Sequence, residues 1–550
     1  MRHVAFALIL LPCCAFADVH YTLTPKPLSK SVTVSISVDN PGTSEVFHIP
    51  AWCPGFYFLQ KYESKIFDVN AIGTDGQLAV TKSAPNTWSV ANPTKQKFTI
   101  SYRVLGDDPG LGFFGVNVRN DQAFTNGAAT FMYADGRLTE PCDLKISAPM
   151  GWDIATAMTK DDSGKFTAKG YDEFIDMPIQ MGTMKRTNFT VGDLTFNVAW
   201  VAQDGSVHPD ITRQTEVLRK VSAEAVKLFN GAPFKHYQYI FHLTSAGFLG
   251  GLEHRGSTTI ALQNDPSLDV TTIAAHEFFH TWNVKNIRPR VLGPFDYTKE
   301  VRTGNLWFAE GVTDYYAQLN AYRSGIYNVP WLYQTLSAQV AQLQSSNSRL
   351  AVTLDEACRK TWESGGFGYK DLDYYNKGLL VGLLFDSSIR GASKGQKSLD
   401  DLMRLMYAKY RLPNPGYGED GIRTHLTEVA GIDENGLYDQ AVRSKQELPY
   451  GVLKSIGLRV VGQGIPYGEA GFTTIGNVVS KGSGLVKIGD FVLGVTATNA
   501  SKITVNITRD GQPLTVSLPY VTKVGGEWIV EENPFATVEE RERLLQWLGK

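Results

Sequence analysis

Hydrophobic and polar positions alternate along the first third of the chain. VTVSISV (residues 32–38) and KFTISYRV (residues 97–104) place an apolar side chain at nearly every second position, and Pro, Gly, Asn and Asp cluster around both runs. A period of two is the strand period, one face toward a core and the other toward water. Short strands at this rhythm over residues 18–182 predict a β-sandwich. From about Asn188 the period lengthens. TEVLRKVSAEAVKLF carries its apolar residues at helical spacing, and helical patterns dominate from Thr271 to Arg411: TTIAAHEFFHTWNVK, NLWFAEGVTDYYAQLNAY, WLYQTLSAQVAQLQ, GLLVGLLFDSSI and LDDLMRLMYAKY. After about Leu448 alternation returns in GNVVSKGSGLVKIGDFVLGVTA and TVNITRDGQPLTVSLPY. PFATVEERERLLQWLG then closes the chain as a short helix, with Thr537 as its cap and Glu540 at the capping-box position. The expectation is a multidomain α+β chain: an N-terminal β-sandwich (18–182), a mainly helical domain (183–447), a small β module (448–532) and a C-terminal helix (533–550).

Length agrees with several domains, since 550 residues exceed one ordinary core. The start of the chain reads as a signal peptide over residues 1–17. Arg2 and His3 precede the apolar run Val4–Leu11, and Ala15-Phe16-Ala17 has the small-x-small cleavage pattern. A mature start near Asp18 and export, periplasmic or secreted, are expected. The run is well short of the roughly 20 residues of a spanning helix, and no later segment is apolar enough to serve, so no transmembrane anchor is expected. A net charge of -2, from 53 basic and 55 acidic residues, gives no reason to expect nucleic acid or an anionic membrane as a partner. Beyond the signal segment only Cys53, Cys142 and Cys358 remain, neither a disulfide scaffold nor a thiolate metal site. A Cys53–Cys142 bridge and three buried thiols are both open.

The chemistry centres on His276-Glu277-Phe278-Phe279-His280. On a helix, positions i and i+4 share a face, so two imidazoles converge on one metal ion while Glu277 sits beside them to take a proton from its water. With 10 histidines in the chain, chance yields such a pentapeptide about 0.01 times, which favours a metal site over two surface histidines. A catalytic zinc needs a third protein ligand and an open position. Glu310 and Asp314 stand at i and i+4 in NLWFAEGVTDYY, the first a candidate ligand and the second a candidate partner for a histidine's other ring nitrogen. The ordinary reading, a solvated acidic pair, suits that segment poorly. Its neighbours are mostly apolar, and a buried Glu without a cation is costly.

HEFFHTWNVKNIRP followed by WFAEGVTDYY resembles the glycyl aminopeptidase family, gluzincin zinc peptidases that carry a PDZ module. IPAWCPGFYF, GAATFMYADG and YDEFIDMPIQMG resemble that family's N-terminal β domain; GGLEHRGST and YYNKG resemble its catalytic domain. Two departures stand out. Asn286 occupies a position where the family often has Arg, and the C-terminal module lacks a clean Gly-Leu-Gly-Phe loop. The resemblance implies a thermolysin-like catalytic domain with one Zn2+ per chain on His276, His280 and Glu310, and a PDZ-like module that takes a peptide C-terminus or strand. It implies that Glu253 binds the free amino terminus of a peptide and that Tyr375 donates to the oxyanion. A core aromatic role falls instead to Tyr374. The implied activity is removal of N-terminal residues, Gly and Ala first, with Glu277 activating zinc-bound water. Two rivals remain: a thermolysin-like endopeptidase on the same site, and a non-catalytic secreted scaffold. Lys285 and Arg288 read as structural ion-pair partners, and Pro289 as the end of the histidine helix.

Overall fold

The computed structural model describes residues 18–464, 466–499 and 501–550. The expected signal segment, residues 1–17, lies outside them. Among the described residues no helix is long and apolar enough to cross a membrane. The chain divides into two compact units. One holds the chain up to Ala51, then Gln60–Met184 and Ala246–Phe248; the other holds Trp52–Leu59, Lys185–Ser245 and Leu249–Lys550.

The first unit is β-rich. Its eight-stranded sheet is built around Val19–Lys26, Ser31–Val38, Phe98–Leu105 and Ile66–Gly73, and two four-stranded sheets accompany it. The alternation seen in sequence sets which face is buried. Val32, Val34 and Ile36 are fully covered, and they lie opposite Val104, Tyr102 and Ile100 on the neighbouring strand. Each such pair buries its apolar surface on one face and leaves its polar neighbours to water.

The second unit begins with a five-stranded sheet, in the order Lys185–Val191, Leu194–Ala202, His236–Leu243, Ser257–Leu262, Gly250–Glu253. Leu194–Ala202 and His236–Leu243 run parallel, joined by the crossover helix Ile211–Phe229. Asp210 caps that helix by accepting from the Thr212 and Arg213 N–H groups, and Asn230 ends it in left-handed geometry. Gly250–Glu253 is an edge strand, and its last residue, Glu253, lies near Glu277 and His280 of the helical part.

The helix Thr271–Phe279 lies over this sheet. Phe278 meets Tyr237 edge-on at 5.0 Å and Phe196 at 5.5 Å; Phe279 stacks on Tyr316 at 4.5 Å. The two residues between the histidines are thus anchors, one on the sheet and one on the helix Val312–Arg323. The helix ends ten residues before Pro289, contrary to the sequence expectation. His280 occupies the cap, its Nδ1 donating to the Asn283 carbonyl at 2.6 Å. Asn283 in turn donates to the Phe308 carbonyl at 2.7 Å and to Thr313 Oγ1 at 3.1 Å. Side-chain bonding to the 305–313 segment competes with helix continuation and wins.

A π-helical turn, Trp307–Gly311, leads into Val312–Arg323 and packs on the helix Tyr374–Ala392. Glycines allow the close approach. A Cβ on Gly311 would lie 2.5 Å from the Gly378 Cα, and one on Gly378 would lie 2.6 Å from the Trp307 carbonyl oxygen. This contact sets Glu310 beside Tyr375.

The C-terminal part holds a five-stranded antiparallel sheet running from Thr473–Ile475 to Gln512–Pro519, and a separate pair, Leu458–Val461 with Ile529–Glu532. The helix Val538–Trp547 follows with the full Thr537–Glu540 capping box. Trp547 Nε1 donates to Tyr315 Oη at 2.8 Å, and Tyr315 donates to Asp386 at 2.6 Å. Cys53, Cys142 and Cys358 are all buried, and no disulfide joins them among the described residues.

Glu532 ties the strand pair to the helix Val329–Ser345. It accepts from the Tyr333 hydroxyl at 3.1 Å and from Thr474 at 2.9 Å. Burial pushes its carboxyl up to about 7, against these bonds and the nearby Arg541 charge. The folded state therefore holds this proton more tightly than the unfolded chain, whose value is near 4.5. The resulting stability is complete below about pH 4.5 and is lost as the pH rises toward 7. Glu532→Gln is expected to match the wild type in thermal midpoint at pH 4 and to exceed it at pH 7.5. The gain is on the order of 2 kcal/mol, because partial solvent contact screens the full shift. Equal midpoints at both pH values refute the assignment.

Candidate active site

His276 and His280 project from the end of one helix toward Glu310 on the π-helical turn. All three are buried, at 9%, 1% and 2% exposure. Their ligand atoms lie within 4.8 Å of one another. The two Nε2 atoms are 2.9 Å apart, and Glu310 Oε2 stands 3.6 Å from His276 Nε2 and 3.2 Å from His280 Nε2.

Each histidine is oriented through its other nitrogen. His276 Nδ1 donates to Asp314 Oδ1 at 2.8 Å, and His280 Nδ1 donates to the Asn283 carbonyl. Carboxylate and carbonyl oxygens can only accept, so Nδ1 carries the hydrogen on both rings and the neutral Nε2 atoms present lone pairs. Two lone pairs and a carboxylate converging in a buried space repel unless a cation joins them. Burial disfavours a charged His276, but the charge of Asp314 and the hydrogen bonds that Asp314 and Glu310 accept from it hold its pKa well above the ordinary value. Burial likewise works against Glu310 ionisation, and His280 and His276 outweigh it, keeping the carboxylate charged. The donor set therefore fits a metal ion. Two imidazole nitrogens and one carboxylate oxygen, with an open fourth position, is a set that zinc takes.

Asp314 acts through His276. Asp314→Asn is expected to weaken metal binding about 10–100-fold, the usual effect of losing a carboxylate behind a ligand histidine. Competition with a chromogenic chelator measures it, and unchanged affinity removes that role.

Glu277 lies behind the pair in a second cluster. Glu253, Glu277 and His280 also offer ligand atoms within 4.8 Å of one another, and all are buried. Burial pushes the Glu277 carboxyl up to about 7; His276 and His280 pull it down, while Glu253 and Glu310 add to the rise. Room for this carboxylate comes from Gly251 on the edge strand, where a Cβ would sit 2.1 Å from Glu277 Oε1.

Tyr375 stacks at 6.0 Å on the His276 ring. Burial, followed by the Glu310 charge, raises its phenol well above the ordinary value, so it remains a donor. Its neighbour Tyr374 is fully buried and donates to the Gly366 carbonyl at 2.5 Å.

The structure adds features that sequence spacing left open or missed. Lys285 Nζ lies 3.7 Å from Glu253 Oε1, both side chains buried at 6% exposure. Arg288 stacks its guanidinium on Phe295 at 5.5 Å. Tyr57, from the segment Trp52–Leu59, is buried within electrostatic reach of Glu310 and Glu253. Its motif, IPAWCPGFYF, carried no signal of that proximity, because it joins residues about 200 to 250 positions apart.

No curated protein matches the chain by sequence. In fold it is similar to a solved aminopeptidase N family protein from Idiomarina loihiensis. The TM-score is 0.78 at 21% identity, covering 96% of this chain and 100% of that one. It is also similar to an M1 zinc metallopeptidase variant from Deinococcus radiodurans solved with a Tyr-Ser-Ala substrate. There the TM-score is 0.51 at 14% identity, covering 79% and 95% of the two chains. The family model for the Peptidase M61 N-terminal domain matches residues 20–183, and the model for M61 glycyl aminopeptidase matches residues 269–381. The second match spans His276, His280, Glu310 and Tyr375, and with both matches on one chain this protein carries the N-terminal and catalytic domains of the M61 family of peptidases.

Proposed function

We propose that this chain is a zinc aminopeptidase that removes N-terminal residues from peptides. The observation that carries the reading is the convergence of His276, His280 and Glu310 with Glu277, Glu253 and Tyr375 around one buried centre. A fold relative that is a zinc metallopeptidase solved with a bound peptide supports it. One Zn2+ per chain on His276, His280 and Glu310 would polarise the scissile carbonyl and lower the pKa of water at its open position.

The remaining steps belong to side chains. Glu277 accepts the proton of the attacking water on its carboxylate and passes it to the leaving amine. Tyr375 donates its phenolic O–H to the oxyanion. Glu253 accepts from the substrate's α-ammonium, which fixes the first residue at the reacting centre. Preference for Gly and then Ala is carried over from the family resemblance.

One observation favours a second reading. Because Lys285 already pairs with Glu253, a substrate ammonium joins an existing ion pair and not a bare carboxylate. A thermolysin-like endopeptidase would use the same centre without reading the amino terminus. Aminoacyl-4-nitroanilides with and without N-acetylation, repeated with a chelator and zinc rescue, separate the two. An aminopeptidase cleaves only the free forms, and equal cleavage of both selects the endopeptidase. No cleavage of any peptide by zinc-loaded protein leaves a secreted scaffold.

Our reading also takes residues 1–17 as a signal peptide that exports the chain, periplasmic or secreted. It takes residues 448–532 as a PDZ-like module for a peptide C-terminus or strand. Supporting the second point is a cleft of about 330 Å³ between the module and the helix Val329–Ser345, lined by Tyr333, Phe472, Ile475 and Lys481.

A further inference from the structure

Among the described residues before Lys185, only the segment Trp52–Leu59 belongs to the second unit. Side chains pin it there. Trp52 Nε1 donates to the Asp296 carbonyl at 2.8 Å, and Trp52 and Tyr57 both meet Trp362 edge-on, at 5.3 and 5.8 Å. Between these anchors the chain turns tightly, the Phe56 N–H donating to the Cys53 carbonyl at 3.0 Å.

Gly55 forms the apex, at φ +96°, where residues with a side chain are rare. It lies directly on Glu253. A Cβ at Gly55 would be 2.7 Å from the Leu252 Cδ1 and 2.7–2.8 Å from the two Glu253 oxygens. From the next residue an arc of rings runs toward the metal site: Phe56 to Phe367 at 6.3 Å, Phe367 to Tyr375 at 6.1 Å, Tyr375 to His276 at 6.0 Å. Gly366, at φ +100°, lets the facing loop come close; a Cβ there would stand 3.5 Å from the Phe56 ring.

The arc spans the interval from Glu253, the anchor for an α-ammonium, to Tyr375, the donor for the oxyanion. A peptide's first residue must occupy that interval. We propose that the Gly55–Phe56 turn and Phe367 form the wall of the first-residue pocket and set an upper limit on the side chain it admits. The proposal rests on the aminopeptidase reading. It adds two specificity-determining phenylalanines, one of them on a segment far from the catalytic motifs in sequence. A wall, more than a receptacle, follows from the tightness at Gly55, whose turn packs directly on Leu252 and Glu253.

The test uses the full chain, loaded with zinc, as wild type, Phe56→Ala and Phe367→Ala. Substrates are the 4-nitroanilides of Gly, Ala, Leu and Phe, each also N-acetylated. Phe367 is 45% exposed, so its truncation spares the core; zinc content and thermal midpoint check both variants. The expected result is a rise in the Leu-to-Gly ratio of kcat/KM of about tenfold or more in either variant, the usual scale for a changed apolar pocket. An unchanged ratio in both overturns the wall. A falling ratio also overturns it, since rings that grip large side chains would lose them on truncation. Failure of the underlying reading shows separately, as wild-type cleavage of acetylated and free substrates at equal rates. In that event no first-residue pocket exists and the proposal falls with it.

Discussion

Glu277→Gln is expected to cut kcat by on the order of 10²–10⁴-fold while the protein still binds one zinc. Glutamine has the same shape and fits the space that Gly251 leaves, but it cannot take a proton from water. Metal retention follows because the three proposed donors, His276, His280 and Glu310, are left in place. Steady-state kinetics beside metal analysis of the same preparation checks both halves. Near-normal turnover in the variant would remove Glu277 from the mechanism, whereas loss of zinc would mean the carboxylate helps hold the ion.

Tyr375→Phe should lower kcat by about 10²–10³-fold with little change in KM, because an aimed donor to the oxyanion is worth about 2.7–4 kcal/mol in the transition state alone. The ring and its stacking on His276 survive the change, so only the hydroxyl is tested. Tyr374→Phe provides the contrast. That hydroxyl is committed to the Gly366 carbonyl, and its loss should lower the thermal midpoint with a smaller effect on kcat. Equal kinetic losses in the two variants would show that Tyr375 is a packing residue.

Much of this arrangement could be anticipated from the chain alone, for identifiable reasons. Helix geometry put His276 and His280 on one face, and apolar neighbours argued that Glu310 is buried. Alternation marked the buried positions of the Ser31–Val38 and Phe98–Leu105 strands. Capping chemistry placed the last helix, since Thr537 and Glu540 act within one turn. What escaped depends on contacts distant in sequence. The helix stops at Phe279 because Asn283 bonds to residues 308 and 313, which no local pattern reveals. Gly311 and Gly378 look like ordinary helix glycines until two backbones are seen to touch. Lys285 carried no mark of its approach to Glu253. Spacing could nominate residues for the centre, but not the charges that would surround them.

The membership of Trp52–Leu59 in the second unit bears on how this protein can be taken apart. A fragment beginning near residue 185 would keep His276, His280, Glu310, Glu277 and Tyr375, yet omit the turn that lies on Glu253. Such a fragment would also lose Trp52 and Tyr57, which are buried in the core of the second unit. Selectivity engineering on the proposed pocket wall therefore begins from the uncut polypeptide.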